Sequence, residues 1–332
     1  VAAFFCMSLF MGLVTYGNAL VAQYYGAGDF HKCPRVVTQA GIIIAASTPL
    51  LLLFAAYAGE AFEYMGHDPV QVPLEKTYFS LLMVGAAVSL FKAALASYFS
   101  GIGRTRVVMI ADVLGTALNV PVSWVLIFGH FGAPALGIAG AALGTIIATV
   151  FATGIFLLFY LWPDHSRQFA VRQSLGYDRG IMRRYLRLGT PSGLETFMNT
   201  ASFNLFLLLF QSYGVVQGAA MAIVFNWDML SFVPMIGLNI GVMSLIGRSV
   251  GAGDMGQANQ VIASGFLLAF AYSGTLAVLF YFLRVPLVDV FDTGEPAFEA
   301  IRALAAPMMV GLVTYMPVSY THLTLPTNVS MC

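Results

Sequence analysis

Four ionisable side chains lie inside long apolar stretches of the chain: Lys92, Asp112, Glu195 and Asp228. A charge in hydrocarbon is costly, so such groups mark functional sites by default. With a helical rise of about 1.5 Å per residue, Glu195 lies about 13 Å, and Asp228 about 18 Å, from the start of its predicted helix. Two carboxylates near mid-depth can hold a proton or a sodium ion, and either can attract an organic cation.

Three amides accompany these acids on the same two helices: Asn199, Asn204 and Asn226. Asn199 follows Glu195 by four positions and therefore shares its helical face. Amide oxygens can complete the shell of a bound Na⁺, which predicts a cation site around Glu195 and Asp228. The alternative is that the amides form interhelical hydrogen bonds, as they often do in bilayers.

The other two charges have simpler interpretations. Lys92 is a possible salt-bridge partner of Glu195 or Asp228, and such a pair would be structural. Asp112 lies only about 9 Å from the predicted cytoplasmic end of its helix, where we expect it to pair with Arg104 or Arg106.

Other chemistry is not indicated. Gly251, Gly253 and Gly256 match G-x-G-x-x-G, but they follow a membrane helix instead of a strand, so a dinucleotide site is not predicted. There is no Walker lysine motif, the histidines fall in predicted loops or in the tail, and the cysteines lack disulfide or metal spacing. We therefore predict no enzyme and no cofactor. The coupling ion, Na⁺ or H⁺, is the only expected inorganic ligand.

The elements that position these residues are membrane helices. Hydrophobic residues make up 59% of the chain and charged residues 9%, whereas soluble domains are about one quarter charged. Long apolar stretches without strand alternation predict an all-α polytopic membrane protein. Nine spans are predicted, at residues 1–22, 37–58, 77–101, 107–129, 136–161, 186–213, 216–247, 258–283 and 298–318.

Charge placement predicts the orientation, because Lys and Arg in short loops stay on the cytoplasmic side. Alternate connections carry the basic residues Lys32, Arg35, Arg104, Arg106, Arg167, Arg172, Arg179, Arg183, Arg184, Arg187 and Arg248. The intervening connections are acidic or uncharged. We therefore expect a multi-pass protein of the plasma membrane, the inner membrane in a bacterium. The net charge of zero gives no indication of a nucleic-acid partner.

An internal repeat predicts two lobes. The tetrapeptide "GAGD" occurs at 26–29 and again at 251–254, each time after a Gly-containing predicted helix, and we expect Gly to supply a positive φ and Asp to cap the next helix. Six spans separate the two turns, which indicates two six-helix lobes related by a parallel repeat. A whole molecule would then have about twelve spans, so we interpret the first helix and the last two as missing.

The predicted domains derive from this repeat. The N-terminal lobe covers 1–161, a polar cytoplasmic linker covers 162–185 and the C-terminal lobe covers 186–318. The final segment, 319–332, abandons the hydrophobic pattern, and we interpret it as a non-native tail.

The turns resemble those of the multidrug and toxic compound extrusion (MATE) family, as do "LNVPVSWVLIFGHFGAPALGIAGAALGT" at 118–145 and "LRLGTPSGLETFMNTASFN" at 186–204. The resemblance covers residues 1–318. It implies an antiporter that exports organic cations and other drugs by alternating access between two lobes, driven by Na⁺ or H⁺. It also implies a first-lobe site where relatives show Asn and then Asp four residues later; here Asn119 is followed by Ser123.

The family pattern places a second-lobe acid at the position of Asn199, whereas Glu195 stands one turn earlier here. The resemblance implies small, cationic substrates and a chain that functions as a monomer. Two alternatives stay open. A lipid-linked oligosaccharide flippase of the same superfamily would need many Arg and Lys in its cavity, where only Lys92 is available. A membrane-embedded enzyme would need a nucleophile with His or paired acids.

Overall fold

The computed structural model describes residues 2–64, 71–292, 294 and 298–311, except for the side chains of 2, 58–64 and 211. The predicted tail at 319–332 and the end of the ninth span lie outside these residues. Within them the chain is helical and contains no strand, which confirms the all-α class.

The helices follow one another with short connections. They are α1 (Ala2–Thr15), α2 (Gly17–Gly26), α3 (Cys33–Tyr64), α4 (Val72–Val84), α5 (Ala86–Gly101), α6 (Thr105–Phe128), α7 (Ile138–Leu161), α8 (Pro163–Phe169), α9 (Arg179–Ser212), α10 (Val215–Gly251) and α11 (Met255–Asp289). A further helical segment covers 298–311. Short 3₁₀ helices cover Phe30–Lys32 and Val171–Gln173.

The described part of each predicted span is mainly helical, with 1–22 on α1 and α2 and 77–101 on α4 and α5. Not every helix passes a strict test for a membrane span. Six spans in the described residues are long and apolar enough: Ala3–Gly26, Phe30–Tyr57, Thr105–Phe128, Ile138–Leu161, Val215–Gly251 and Met255–Asp289. Helices α4 and α5 pass the test only together, with a bend of 47° between them, so the described residues contain six spans, or seven if this pair is one span. The bend lies at Gly85, where a Cβ would lie 2.8 Å from the Ile146 side chain. The molecule is thus an integral, multi-pass membrane protein.

Helix α9 shows why the number of membrane spans is approximate. Its 34 residues begin at Arg179, seven positions before the predicted span, and its first turns are strongly basic. At about 1.5 Å per residue the helix is about 51 Å long, which exceeds the hydrocarbon thickness of about 30 Å. The basic turns can therefore lie at the cytoplasmic surface while the rest of α9 crosses the membrane.

The chain divides into two compact units, Val1–Met198 and Asn199–Cys332. In the first unit α6 packs along α7, and α2 and α3 pack against α5. Small residues allow the closest of these contacts. A Cβ on Gly140 would run into the Leu126 carbonyl group, and one on Gly115 would lie 2.9 Å from Ala152 Cβ. The close packing predicted for Gly140 and Gly144 is confirmed, since Gly144 faces Ser123 on α6.

The second unit is built around α10, α11 and the segment 298–311. Their buried apolar side chains form one cluster that includes Val224, Phe280, Val288 and Met309. The close packing predicted for Gly237 and Gly241 is not found among the described residues, where neither has a neighbour within 4 Å of an added Cβ.

The two "GAGD" turns adopt the same backbone. Gly28 and Gly253 have φ values of 77° and 76°, and the aspartate after each donates a backbone N–H bond of 2.9 Å to the residue five positions earlier. Asp254 also caps α11 by accepting from the Gln257 N–H at 2.8 Å. Asp29 instead binds Lys32 at 2.7 Å. The positive φ is thus confirmed at both turns, and the cap only at the second.

We expect Gly140→Leu to destabilise the chain by about 2 kcal/mol or more, because a side chain there meets backbone atoms that cannot rotate away. The midpoint of thermal unfolding in detergent measures this. Gly154→Leu on the same helix is the matched control, since no atom lies within 4 Å of its added Cβ. Equal midpoints for the two variants would contradict the close α6–α7 contact.

Candidate functional site

Glu195 lies on a turn of α9 that packs closely against α1. The residues around it all contact α1: a Cβ on Gly193 would lie 2.5 Å from the Leu9 carbonyl oxygen, Thr196 lies against Gly12, and the rings of Phe197 and Phe5 are 4.9 Å apart. Glu195 itself is half-buried. The small residues of "GTPSG" thus bring α9 against α1 and fix the height and direction of the helix that carries this acid.

Asp228 lies on α10, between two residues that tie this helix to α11. The Trp227 indole donates to the Leu287 carbonyl oxygen at 3.1 Å, and the Tyr272 hydroxyl donates to the Ser231 carbonyl oxygen at 2.8 Å. Asp228 is half-buried, and no ion-pair partner for it is found in the described part of the chain. It is therefore an acid held in place by its neighbours but not neutralised by them.

Two of the predicted amides lie beside one contact between α9 and α10. The rings of Phe203 and Phe225 are 4.4 Å apart, and Asn204 and Asn226 follow them directly in the sequence. Each amide nitrogen donates to its own helix, Asn204 to Thr200 at 2.7 Å and Asn226 to Ala222 at 2.8 Å. The amide oxygens are thereby turned away from those backbone carbonyls and can act as acceptors. Asn199 is exposed.

Lys92 and Asp112 form a pair in the first unit, with Lys92 Nζ 2.6 Å from Asp112 Oδ1. The prediction that Asp112 pairs with Arg104 or Arg106 is therefore wrong. The alternative role of Lys92, as partner of Glu195 or Asp228, loses its support because its ammonium group is already engaged. Sequence position gave the depth of each charge but not the direction in which α5 and α6 face each other.

Asn119 is half-buried on α6, two turns beyond Asp112.

A buried histidine in the linker was not predicted. His165 lies on α8 and is only 2% exposed. Its Nδ1 lies 3.0 Å from the Arg104 guanidinium and its Nε2 lies 3.0 Å from the Tyr98 hydroxyl. Because arginine can only donate, Nδ1 must accept and the proton must lie on Nε2. The rings of Tyr98, Phe99, Tyr160 and Phe169 surround this neutral imidazole.

The pKa of His165 is lowered from its ordinary value of 6.5 to about 4, first by desolvation and then by the charge of Arg104.

A second contact fixes the other end of the linker. Arg35 donates to Asp178 at 3.2 Å, and Asp178 Oδ1 accepts the backbone N–H groups of Gly180 and Ile181 at the start of α9. These hydrogen bonds and the nearby Arg35 hold the pKa of Asp178 below its usual range. The linker is thus packed on the first unit at both ends.

A cavity of about 690 Å³ opens in the second unit between α11 and the segment 298–311. Its charged lining residues are Arg284, Glu299 and Arg302, and Arg302 is bound to Asp289 at 2.6 Å. It contains none of the predicted site residues.

Among the described residues, no three His, Cys, Asp or Glu side chains are grouped closely enough to hold a metal ion.

Comparisons with known proteins give one consistent result. The pattern that defines the MatE family matches residues 1–125 and 191–324. The chain is 26% identical over 317 residues to "Probable multidrug resistance protein YoeA" of Bacillus subtilis, and 27% identical over 280 residues to "Probable multidrug resistance protein NorM" of Thermotoga maritima. These alignments cover 94% and 83% of this chain, and 68% and 57% of the relatives.

Solved structures show the same fold. The eukaryotic MATE transporter AtDTX14 superposes with a TM-score of 0.83 at 15% identity, over 98% of this chain and 71% of that one. A MOP superfamily transporter from Pyrococcus furiosus superposes with a TM-score of 0.80 at 20% identity, over 99% of this chain and 74% of that one.

We expect the buried His165 to make stability depend on pH. The unfolded chain takes up a proton near pH 6.5, whereas the folded chain does so near pH 4. Between these values the unfolded state binds more protons, so stability rises with pH, is fully present above 6.5 and is lost as pH falls towards 4. The loss at pH 4 should be about 2–3 kcal/mol, measurable as a shift in the midpoint of thermal unfolding.

His165→Gln is the informative variant. Its amide can still accept from Arg104 and donate to Tyr98, but it does not titrate, so the slope between pH 4 and 6.5 should become shallower. His31→Gln is the control, because His31 is exposed. A slope unchanged in His165→Gln would show that His165 does not carry this dependence.

Proposed function

Since the chain belongs to the MatE family, we propose that its protein is a secondary antiporter that exports organic cations in exchange for Na⁺ or H⁺ by alternating access. The chain spans 68% and 57% of the length of the two relatives above. The activity, the cationic substrates and the monomeric state of the whole protein are therefore part of this proposal. We also propose that 1–161 and 186–318 act as its two lobes.

Asp228 carries the proposal. A half-buried carboxylate on a membrane helix, without an ion-pair partner among the described residues, is unfavourable unless a cation neutralises it. The indole and hydroxyl hydrogen bonds on either side hold its helix in place, so the charge cannot easily turn away. A mobile cation that visits this position and leaves again is what an exchanger requires.

The neighbouring amides support a site that can take either ion. A proton needs only a carboxylate, such as that of Asp228 or that of Glu195, whereas Na⁺ needs further neutral oxygens. The amide groups of Asn204 and Asn226 have their nitrogens bound to their own helices, which leaves the oxygens as the acceptors. We propose that Asn199 and, in the first lobe, Asn119 contribute in the same way.

The flippase alternative is not favoured. Such a protein would need free basic groups to bind a lipid pyrophosphate, and the Lys92 ammonium group is engaged by Asp112 at 2.6 Å. The second lobe offers carboxylates and amides at the corresponding depth. Charge therefore favours cationic substrates, in the class of ethidium.

We expect Glu195→Gln and Asp228→Asn, each introduced into the full-length protein, to lower ethidium efflux from cells at least about tenfold. Each removes a charge that must balance the transported cation, and a tenfold change corresponds to only about 1.4 kcal/mol. Asp164→Asn removes an exposed linker acid and is the matched control. Membrane abundance is measured for every variant, and efflux at the wild-type rate in both site variants would rule out this site.

A further inference from the structure

The polar side chains of α6 all lie on one side of the helix. Between Val107 and Phe128 only four residues carry a carboxyl, hydroxyl or amide group: Asp112, Thr116, Asn119 and Ser123. Their spacings of four, three and four place them within a sector of about 60°. They extend over about 16 Å along the helix axis. We call this row of side chains the α6 polar stripe.

Lys92 of α5 meets the cytoplasmic end of this stripe. Its ammonium nitrogen lies 2.6 Å from Asp112 Oδ1, and Asp112 lies about 10 Å from the start of α6. The contact is an ion pair and not a well-directed hydrogen bond, since Oδ1 receives no hydrogen bond of good geometry from the described residues. Oδ1 is itself buried, so Lys92 neutralises Asp112 at one oxygen, while the 45% of the side chain that is exposed lies on the remaining atoms of the carboxylate side chain.

The pair is also accessible. The side chains of Lys92 and Asp112 are 31% and 45% exposed in the first unit, and Thr116, one turn further along the stripe, is exposed. An ion pair with this much of its surface in hydrocarbon would be strongly disfavoured. This side of α6 must therefore meet water or other polar groups, by which a small cation can reach Asp112.

We propose that Asp112 is a further binding site for a small monovalent cation in the first lobe, and that Lys92 occupies the carboxylate when the cation is absent. The entering cation takes the Asp112 carboxylate and displaces the Lys92 ammonium, which keeps its proton and turns into the polar surroundings. Two positive charges cannot share the single carboxylate without repulsion, so occupation by the cation and by Lys92 alternate. Thr116 and Asn119 provide neutral oxygens along the approach.

This inference rests on the proposed antiport. It adds the Lys92 ammonium group as an internal competitor of the coupling cation for the Asp112 carboxylate. A transporter must release its coupling ion as well as bind it, and an internal ammonium group that re-forms its ion pair favours release. The competing explanation is a clamp in which Lys92 and Asp112 only hold α5 to α6. The two explanations predict opposite effects of removing Lys92.

The test uses the full-length protein in liposomes, with uptake of ethidium driven by an imposed gradient of either NaCl or protons. We expect Lys92→Gln to lower the concentration of the driving cation at half-maximal uptake about three- to tenfold, because the competitor is gone. We expect Asp112→Asn to raise that concentration or to abolish uptake. Lys32→Gln, which breaks the exposed Lys32–Asp29 pair of 2.7 Å, is the control and should leave it unchanged.

The charge exchange, Lys92→Asp combined with Asp112→Lys, separates the explanations further. It restores a pair between α5 and α6 but moves the carboxylate off the α6 polar stripe, so we expect normal folding with impaired uptake. Restored uptake, or an unchanged cation concentration in Lys92→Gln, would overturn the inference in favour of a clamp. Wild-type liposomes that take up no ethidium under either gradient would instead contradict the proposed function. If Asp112→Asn does not fold, the effect of Lys92→Gln on the half-maximal cation concentration still distinguishes the competitor from the clamp.

Discussion

Hydrocarbon solvates neither a peptide group nor a charge, and the described structure depends on this constraint. Each backbone N–H and C=O in a span must be satisfied within its own segment, which explains why the spans are helices. Charges must be neutralised by a partner, hydrated at the membrane surface, or balanced by a transported cation. The first two solutions are visible at the Lys92–Asp112 pair and in the basic turns of α9 at the predicted cytoplasmic surface. Asp228 has no such solution among the described residues, and this makes it the centre of the proposed exchange.

The same constraint shapes the helix contacts. Lipid gives helices no hydrophobic reason to associate, so contact depends on close approach and on hydrogen bonds. Gly140 and Gly193 permit the close approach of α7 to α6 and of α9 to α1. Trp227 and Tyr272 supply the hydrogen bonds between α10 and α11. The helices that carry Glu195 and Asp228 are therefore positioned by small or aromatic residues near these acids.

Sequence alone predicted those features that depend on one helix at a time. Apolar length located the spans, and the two "GAGD" turns were recognised because glycine tolerates the positive φ that both adopt. Features that depend on the direction in which two helices face each other were not predictable. Asp112 was assigned to the wrong partner for this reason. His165 was missed because its burial requires aromatic rings from α5 and α7, which are distant in sequence from a linker that looks hydrophilic.

The linker shows how a polar segment becomes part of a membrane unit. Its sequence is the most hydrophilic of the chain, yet His165 is enclosed by aromatic rings and Asp178 is bound by Arg35. Arg104, which the positive-inside rule explains as a topology signal, also donates to His165 and holds α8 against the end of α5. A residue predicted to lie at the cytoplasmic surface for orientation thus has a second role in packing. The predicted linker is consequently structured by the first unit and, through Asp178 as the cap of α9, sets where the helix that carries Glu195 begins.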